Sequence, residues 1–184
     1  FLEEIWSRNF TNLFVSPLKV SEIITALTFT ALLRTLIGIV PAIILASPLF
    51  GVSLFDLGSA LFFLLLSLYF FGITLGLFVT SGLLRYGPAF ENIAWSSLFL
   101  LAPLGCIYYP LSILPDWLQV LAKMLPLVYI FEEVRSILVN NVVDYSNIIT
   151  ALQLNMVYFV AGIVLFYFAF YGARKKGTLI NVGE

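Results

Sequence analysis

The chain has 184 residues, of which 61% are hydrophobic and only 10% charged, and its mean hydropathy is +1.06. A soluble domain of that length has too little interior to hide so much apolar side chain, which points to the bilayer as its solvent. Nine Lys and Arg against ten Asp and Glu leave a net charge of −1, so no basic surface suggests nucleic acid.

The chain opens at Phe1 with neither a basic n-region nor a cleavage site, so it shows no signal peptide. A start in mid-sequence is read as the loss of a preceding portion. In residues 1–20, Trp6, Phe10, Leu13 and Phe14 recur at helical spacing, while Glu3, Arg8, Asn9 and Asn12 supply a polar face. This pattern predicts a short amphipathic helix on the membrane surface, ended by Ser16-Pro17 because a residue before proline is driven out of the α region. Ser21 is placed to cap the helix that follows.

A bilayer core of about 30 Å takes about 20 helical residues at about 1.5 Å each. Four stretches reach that length, predicting transmembrane helices over 21–50, 57–84, 88–109 and 146–173. The first carries one charge, Arg34, about 18 Å along the helix. A central arginine costs about 2.5–3.5 kcal/mol even on permissive insertion scales, so it should face the bundle interior, a partner or a watery path. A structural ion pair is the plainer reading of the same residue. The second stretch contains Gly72-x-x-x-Gly76, a spacing that lets helices approach closely. Glu91 opens the third, where its charge suits a helix N-terminus, and Pro103, Gly105 and Pro110 should end that helix early.

Sidedness follows from the basic residues. Arg8, Lys19, Arg85, Arg174, Lys175 and Lys176 fall on one side and only Lys123 and Arg135 on the other, which makes both ends of this chain, with the 174–184 tail, cytoplasmic.

On the opposite side, residues 111–141 are too polar to span and too apolar for a plain loop. Trp117, Leu118, Leu121, Met124 and Leu125 form one apolar stripe, and Val128, Phe131, Val134 and Leu138 begin a second after Pro126. Two short helices hinged at Pro126 predict an outer re-entrant hairpin, and irregular backbone at that depth must be buried in protein or face water. The hairpin is therefore a candidate gate, with Tyr109, Trp117, Glu132 and Arg135 its candidate residues. Glu132 and Arg135, three apart, read equally as a surface ion pair or as a clasp on the closed hairpin. Tyr108, Tyr109, Trp117, Tyr145 and Tyr171 also fit an interfacial belt.

Three motifs occur in order along these elements: Ser16-Pro17-Leu18 with Glu22 shortly after, Tyr-Pro-Leu-Ser-x-Leu-Pro-x-Trp-Leu at 109–118, and Leu-Pro-Leu-x-Tyr-x-x-Glu-x-x-Arg at 125–135. Their order and spacing relative to the spans resemble the permease subunit of ABC-2 type ATP-driven exporters, over nearly the whole chain. Family members have six spans, with an amphipathic cytoplasmic coupling helix between the second and third. The resemblance thus implies that this chain begins at the coupling helix and holds spans three to six. It makes Glu3, Glu4, Trp6, Arg8, Asn9, Phe10 and Leu13 the contact with a separate ATPase subunit, and Arg34 a candidate for the translocation path.

What the resemblance implies overall is an all-α polytopic membrane domain of a bacterial or archaeal plasma membrane. It would pair with a second permease protomer, the same or different, and with nucleotide-binding ATPase subunits that use ATP and Mg. This chain itself would bind no cofactor and no metal. It has no G-x-x-x-x-G-K-[ST] loop to cradle phosphates. The cargo implied is an amphiphile: a lipid-linked glycan, a glycolipid or a hydrophobic drug-like molecule. Asn9-Phe10 stands where many members carry Gly-Thr, so the resemblance does not specify which.

The alternatives are a non-transporting membrane scaffold and a membrane-embedded lipid-modifying enzyme. Catalysis would need a nucleophile beside a base, or clustered carboxylates at a metal. The chain has no histidine and one cysteine, Cys106, and Asp116, Glu132, Glu133 and Asp144 match no such template.

Overall fold

The computed structural model describes residues 17–51, 55, 58–140 and 143–176. Among these residues every regular element is helical. Six α-helices follow one another: α1 (Val20–Phe50), α2 (Gly58–Tyr86), α3 (Glu91–Leu104), α4 (Asp116–Ala122), α5 (Pro126–Asn140) and α6 (Tyr145–Lys176). Single 3-10 turns at Pro88–Phe90 and Leu111–Ile113 lead into α3 and towards α4.

Three of these helices, α1, α2 and α6, are long and apolar enough to cross a membrane. The stretch expected to span over 88–109 is built differently. Its α-helix has 14 residues, a rise of about 21 Å. Pro103 occupies its last turn, and the chain leaves the helix at Gly105 and turns at Cys106, whose φ is +53°.

α1 begins one residue before Ser21, the expected cap. Lys19 is the residue that flanks the helix, and its backbone N–H donates to Glu22 Oε2 at 2.7 Å. The glutamate after Ser-Pro-Leu thus reaches back to satisfy its own motif, as an acidic side chain at the third helical position does in a capping box.

The core lies between α2, α5 and α6. At one end Leu77, Leu83 and Leu84 of α2 pack on Phe166, Phe170 and Ala173 of α6. At the other, Ala60 and Leu64 meet Ile130 and Ile137 of α5 and Ile148 and Ala151 of α6. Chain direction is the same in α2 and α6, with Ser67 beside Asn155 and Leu77 beside Gly162. Packing rather than water exclusion drives such contacts in lipid, and small residues set the approach. Gly162 supplies it: a Cβ there would stand 3.3 Å from the Leu77 Cβ. Gly72 and Gly76, whose spacing pointed to a close contact, have nothing within 4 Å of a built Cβ.

The buried face of α5 is also rotated from the one the apolar pattern indicates. Leu127, Val128, Ile130, Glu133 and Ile137 are buried, whereas Leu138 is exposed. A glutamate sits in the middle of the inward stripe. On α4, the apolar stripe of Trp117, Leu121 and, just beyond it, Met124 faces outward, and Ala122 makes the inner contact.

Candidate functional site

Two features draw the polar groups of this apolar chain together, one at the α4–α5 hairpin and one along α1. The hairpin is held from α5. Glu132 and Arg135 lie one turn apart and face the irregular segment 106–111. Arg135 Nη1 donates to Glu132 Oε1 at 2.6 Å, and Nη2 donates to the carbonyls of Cys106 at 2.9 Å and Tyr109 at 3.1 Å. The same Glu132 oxygen accepts the Leu111 N–H at 2.8 Å. Tyr109 adds a bond from its hydroxyl to the Pro103 carbonyl at 2.8 Å.

The motif at 125–135 therefore grips the backbone of the motif at 109–118. Cys106 is fully buried and its left-handed backbone costs about 1–2 kcal/mol in a residue with a Cβ. The Arg135 bond to its carbonyl offsets that strain. An exposed ion pair contributes about 0–1 kcal/mol, whereas a hydrogen bond to a charged group contributes about 1.5–3 kcal/mol. The side chains of Arg135 and Glu132 are 28% and 32% exposed, and their value lies mainly in the backbone groups they hold. Trp117 is 67% exposed and takes no part in this set of bonds.

Glu133, next along α5, points the other way. It is fully buried, its Oε1 accepts the Asp144 N–H at 2.7 Å, and its Oε2 accepts from Asn147 Nδ2 at 3.0 Å. Asp144 Oδ1 takes the Ser146 N–H at 2.9 Å. Two carboxylates thus meet the N-terminus of α6, where unpaired N–H groups and the helix dipole favour negative charge. Tyr158 of α6 closes the arrangement with a bond to the Met124 carbonyl at 3.0 Å.

Arg34 stands in the second feature. α1 touches the rest of the described chain sparsely, and Ile23 is its one buried residue among those described. Between α1 and α2 runs a groove of about 1000 Å³. Thr28, Arg34 and Thr35 of α1, and Tyr69, Gly76 and Thr80 of α2, are among the residues that line it. The Tyr69 hydroxyl bridges the two helices, donating to the Thr28 carbonyl at 2.5 Å. Gly72 and Gly76 hollow the α2 wall rather than close a helix contact.

Sequence reasoning passed over three of these residues. Glu133 lies in a run of mixed polarity and is weighed there only as a catalytic or metal-binding carboxylate. Tyr69 was one aromatic among many. Asn155 is an amide deep within an uncharged span, and that is the available signal. It is fully buried on α6, with Nδ2 bonded to Ser67 O at 2.9 Å and Ser67 Oγ at 2.8 Å.

Glu3, Glu4, Trp6, Arg8, Asn9, Phe10 and Leu13, which form the expected surface helix, lie outside the described residues. The sequence model of the family described as ABC-2 type transporter matches residues 2–139, a stretch that includes all of them and both hairpin motifs. Neither the curated proteins nor the solved structures gave a match.

Proposed function

The chain belongs to the ABC-2 type transporter family, and from that premise we propose that it is the permease subunit of an exporter that moves an amphiphile outward. As a member it is an integral membrane component of a transporter, which accords with its three long apolar helices. Energy comes from a separate ATPase subunit that uses ATP and Mg and docks on the helix at residues 1–14. Two permease protomers and two ATPases make the working assembly, with both ends of this chain in the cytoplasm and residues 88–109 as a further crossing. Closure of the ATPases shifts the surface helix, tilts the attached spans and biases a two-state path between the protomers.

The observation that carries this reading is the groove beside α1. The span that follows the surface helix directly is the one least tied to its neighbours, and it carries an arginine into a hollow large enough for a ligand. A helix bound to its own core on every face could not respond in this way.

The test is the pair Trp6→Ala and Phe10→Ala in the intact protein. Loss of aromatic anchors from such a contact costs about 2–4 kcal/mol. Both variants should insert normally, lose co-purification with the ATPase and lose export. Unchanged co-purification together with unchanged export refutes the coupling assignment.

A further inference from the structure

Four helix ends gather at one end of the bundle. α2 and α6 run in the same direction and finish side by side, for Leu84 and Ala173 belong to one buried cluster. Each is followed at once by an arginine, Arg85 and Arg174, and Lys175 and Lys176 complete α6. α1 and α3 begin at this same end, where Ile24 and Phe90 pack against that cluster. We propose that the paired ends of α2 and α6 bind the head groups of anionic phospholipids in two neighbouring seats. Arg85 with Tyr86 makes the first, and Arg174 and Lys175 with Tyr171 make the second.

The plainer account of basic residues at helix C-termini is the macrodipole, equivalent to about half a charge at each end. Here it accounts for little. Two C-termini and two N-termini share this end of the bundle, so their partial charges cancel. The first turns of α1 and α3 hold Glu22 and Glu91. With Lys19, which flanks α1, five basic residues stand against those two carboxylates among the described residues. At the opposite end Lys123 and Arg135 stand against Asp116, Glu132, Glu133 and Asp144. Charge thus changes sign along the bundle, and the end formed by α2 and α6 draws anions.

The surroundings of these charges select a lipid as the anion. Arg85, Arg174 and Lys175 are exposed, and no carboxylate pairs with them among the described residues. Arg85 lies over the Tyr86 ring, 5.6 Å from its centroid. Tyr86 and Tyr171 are 64% and 55% exposed. On α6 the exposed residues Val164, Phe168, Tyr171 and Lys175 follow at helical spacing along one outward stripe. Hydrocarbon, amphipathic ring and cation come in the order of acyl chain, membrane boundary and head group. The arginine forks suit a phosphate. An acidic protein surface would meet the charges and leave the apolar part of the stripe uncovered.

The experiment counts the lipids retained by the intact, delipidated protein in native mass spectrometry. From an equimolar mixture, phosphatidylglycerol should be retained roughly tenfold or more over phosphatidylcholine, since each basic residue near a membrane surface adds about fivefold to anionic-lipid binding. Arg85→Gln should cut that excess about fivefold, and adding Arg174→Gln and Lys175→Gln should abolish it. Lys123→Gln, at the opposite end, should leave it intact. Arg85→Lys with Arg174→Lys keeps the charge and should preserve most of it. The parent chain's excess should also fade in about 0.5 M ammonium acetate, where the screening length is below about 5 Å. Equal retention of the two lipids overturns the proposal, as does an excess that survives all three Gln substitutions or falls equally with Lys123→Gln. Displacement of the lipid by inorganic phosphate makes this a site for a soluble anion and overturns the lipid assignment. Neither ATP nor cargo enters the assay, so its result stands apart from the permease reading.

Discussion

Arg135 on α5 holds the carbonyl of Cys106, 29 residues earlier in the chain, at 2.9 Å, and Cys106 is the described non-glycine residue with a positive φ. One guanidinium thus fixes a strained turn and, through Glu132, the segment that follows it. Arg135→Ala should destabilise the protein by about 2–3 kcal/mol, through loss of charge-assisted bonds to backbone. Arg135→Lys should recover part of this, because an ammonium cannot reach both carbonyls and the carboxylate with a planar fork. Glu132→Gln should cost least, since an amide oxygen still accepts the Leu111 N–H. Thermal unfolding in detergent ranks the three; equal midpoints for Arg135→Ala and the parent chain contradict the clasp.

Glu133 makes a second case. Its removal leaves the Asp144 N–H and the Asn147 amide without this acceptor in a part-buried setting, about 1–3 kcal/mol for the two together. Glu133→Ala should therefore cost more than Glu132→Ala, although Glu132 is the residue of the recognisable motif. Hydrogen exchange localises the effect. Amides at the start of α6 should lose protection in Glu133→Ala and keep it in Glu132→Gln.

Gly82 of α2 lies under the ring of Phe90, where a built Cβ would stand 2.1 Å from Cε1. The approach lets the chain reverse at Gly87, φ +74°, and stack Phe90 on Tyr86 at 5.9 Å. Gly82→Ala should cost about 1–3 kcal/mol by overpacking. Adding Phe90→Ala should make the Gly82 substitution nearly neutral. A double-mutant cycle with no coupling would show that the ring yields without strain.

Topology can be read directly by chemical labelling. Cys106 is fully buried, so the parent chain should give little background with a membrane-impermeant maleimide. A cysteine replacing Ser112 should react from outside on intact cells, and one replacing Lys175 only after permeabilisation. Both positions are exposed. The opposite pattern inverts the assigned sidedness.

The long helices were legible because spans as apolar as Gly58–Tyr86 leave the backbone no alternative to internal hydrogen bonding. Arg34, Glu132 and Arg135 stood out because charge is scarce in this chain. What the sequence hid depends on partners distant along it. Burial of Glu133 is tolerable only because Asp144 and Asn147 come to meet it, so the polar residue that breaks the α5 stripe is the one turned inward. The glycine spacing misled for a related reason. Gly72 and Gly76 have the motif but face a groove, while isolated Gly162 makes the close contact. Pattern identifies which residues permit an approach, and the neighbour decides where it happens. Ser21 lost the cap to Lys19 because Glu22 could reach the Lys19 N–H from within the helix.

α1 has 31 residues, making it a rod about 46 Å long. Its described side-chain bond to α2, from Tyr69 to Thr28, lies in its first third. A rod held there works as an unequal-armed beam, whose short arm is its N-terminal one. Rotation by about 5° about that fulcrum sweeps the far tip through about 3 Å, twice or more the displacement at the near end. The position of one tyrosine thus sets a mechanical advantage, and moving the hydroxyl one turn along α2 would change the gearing.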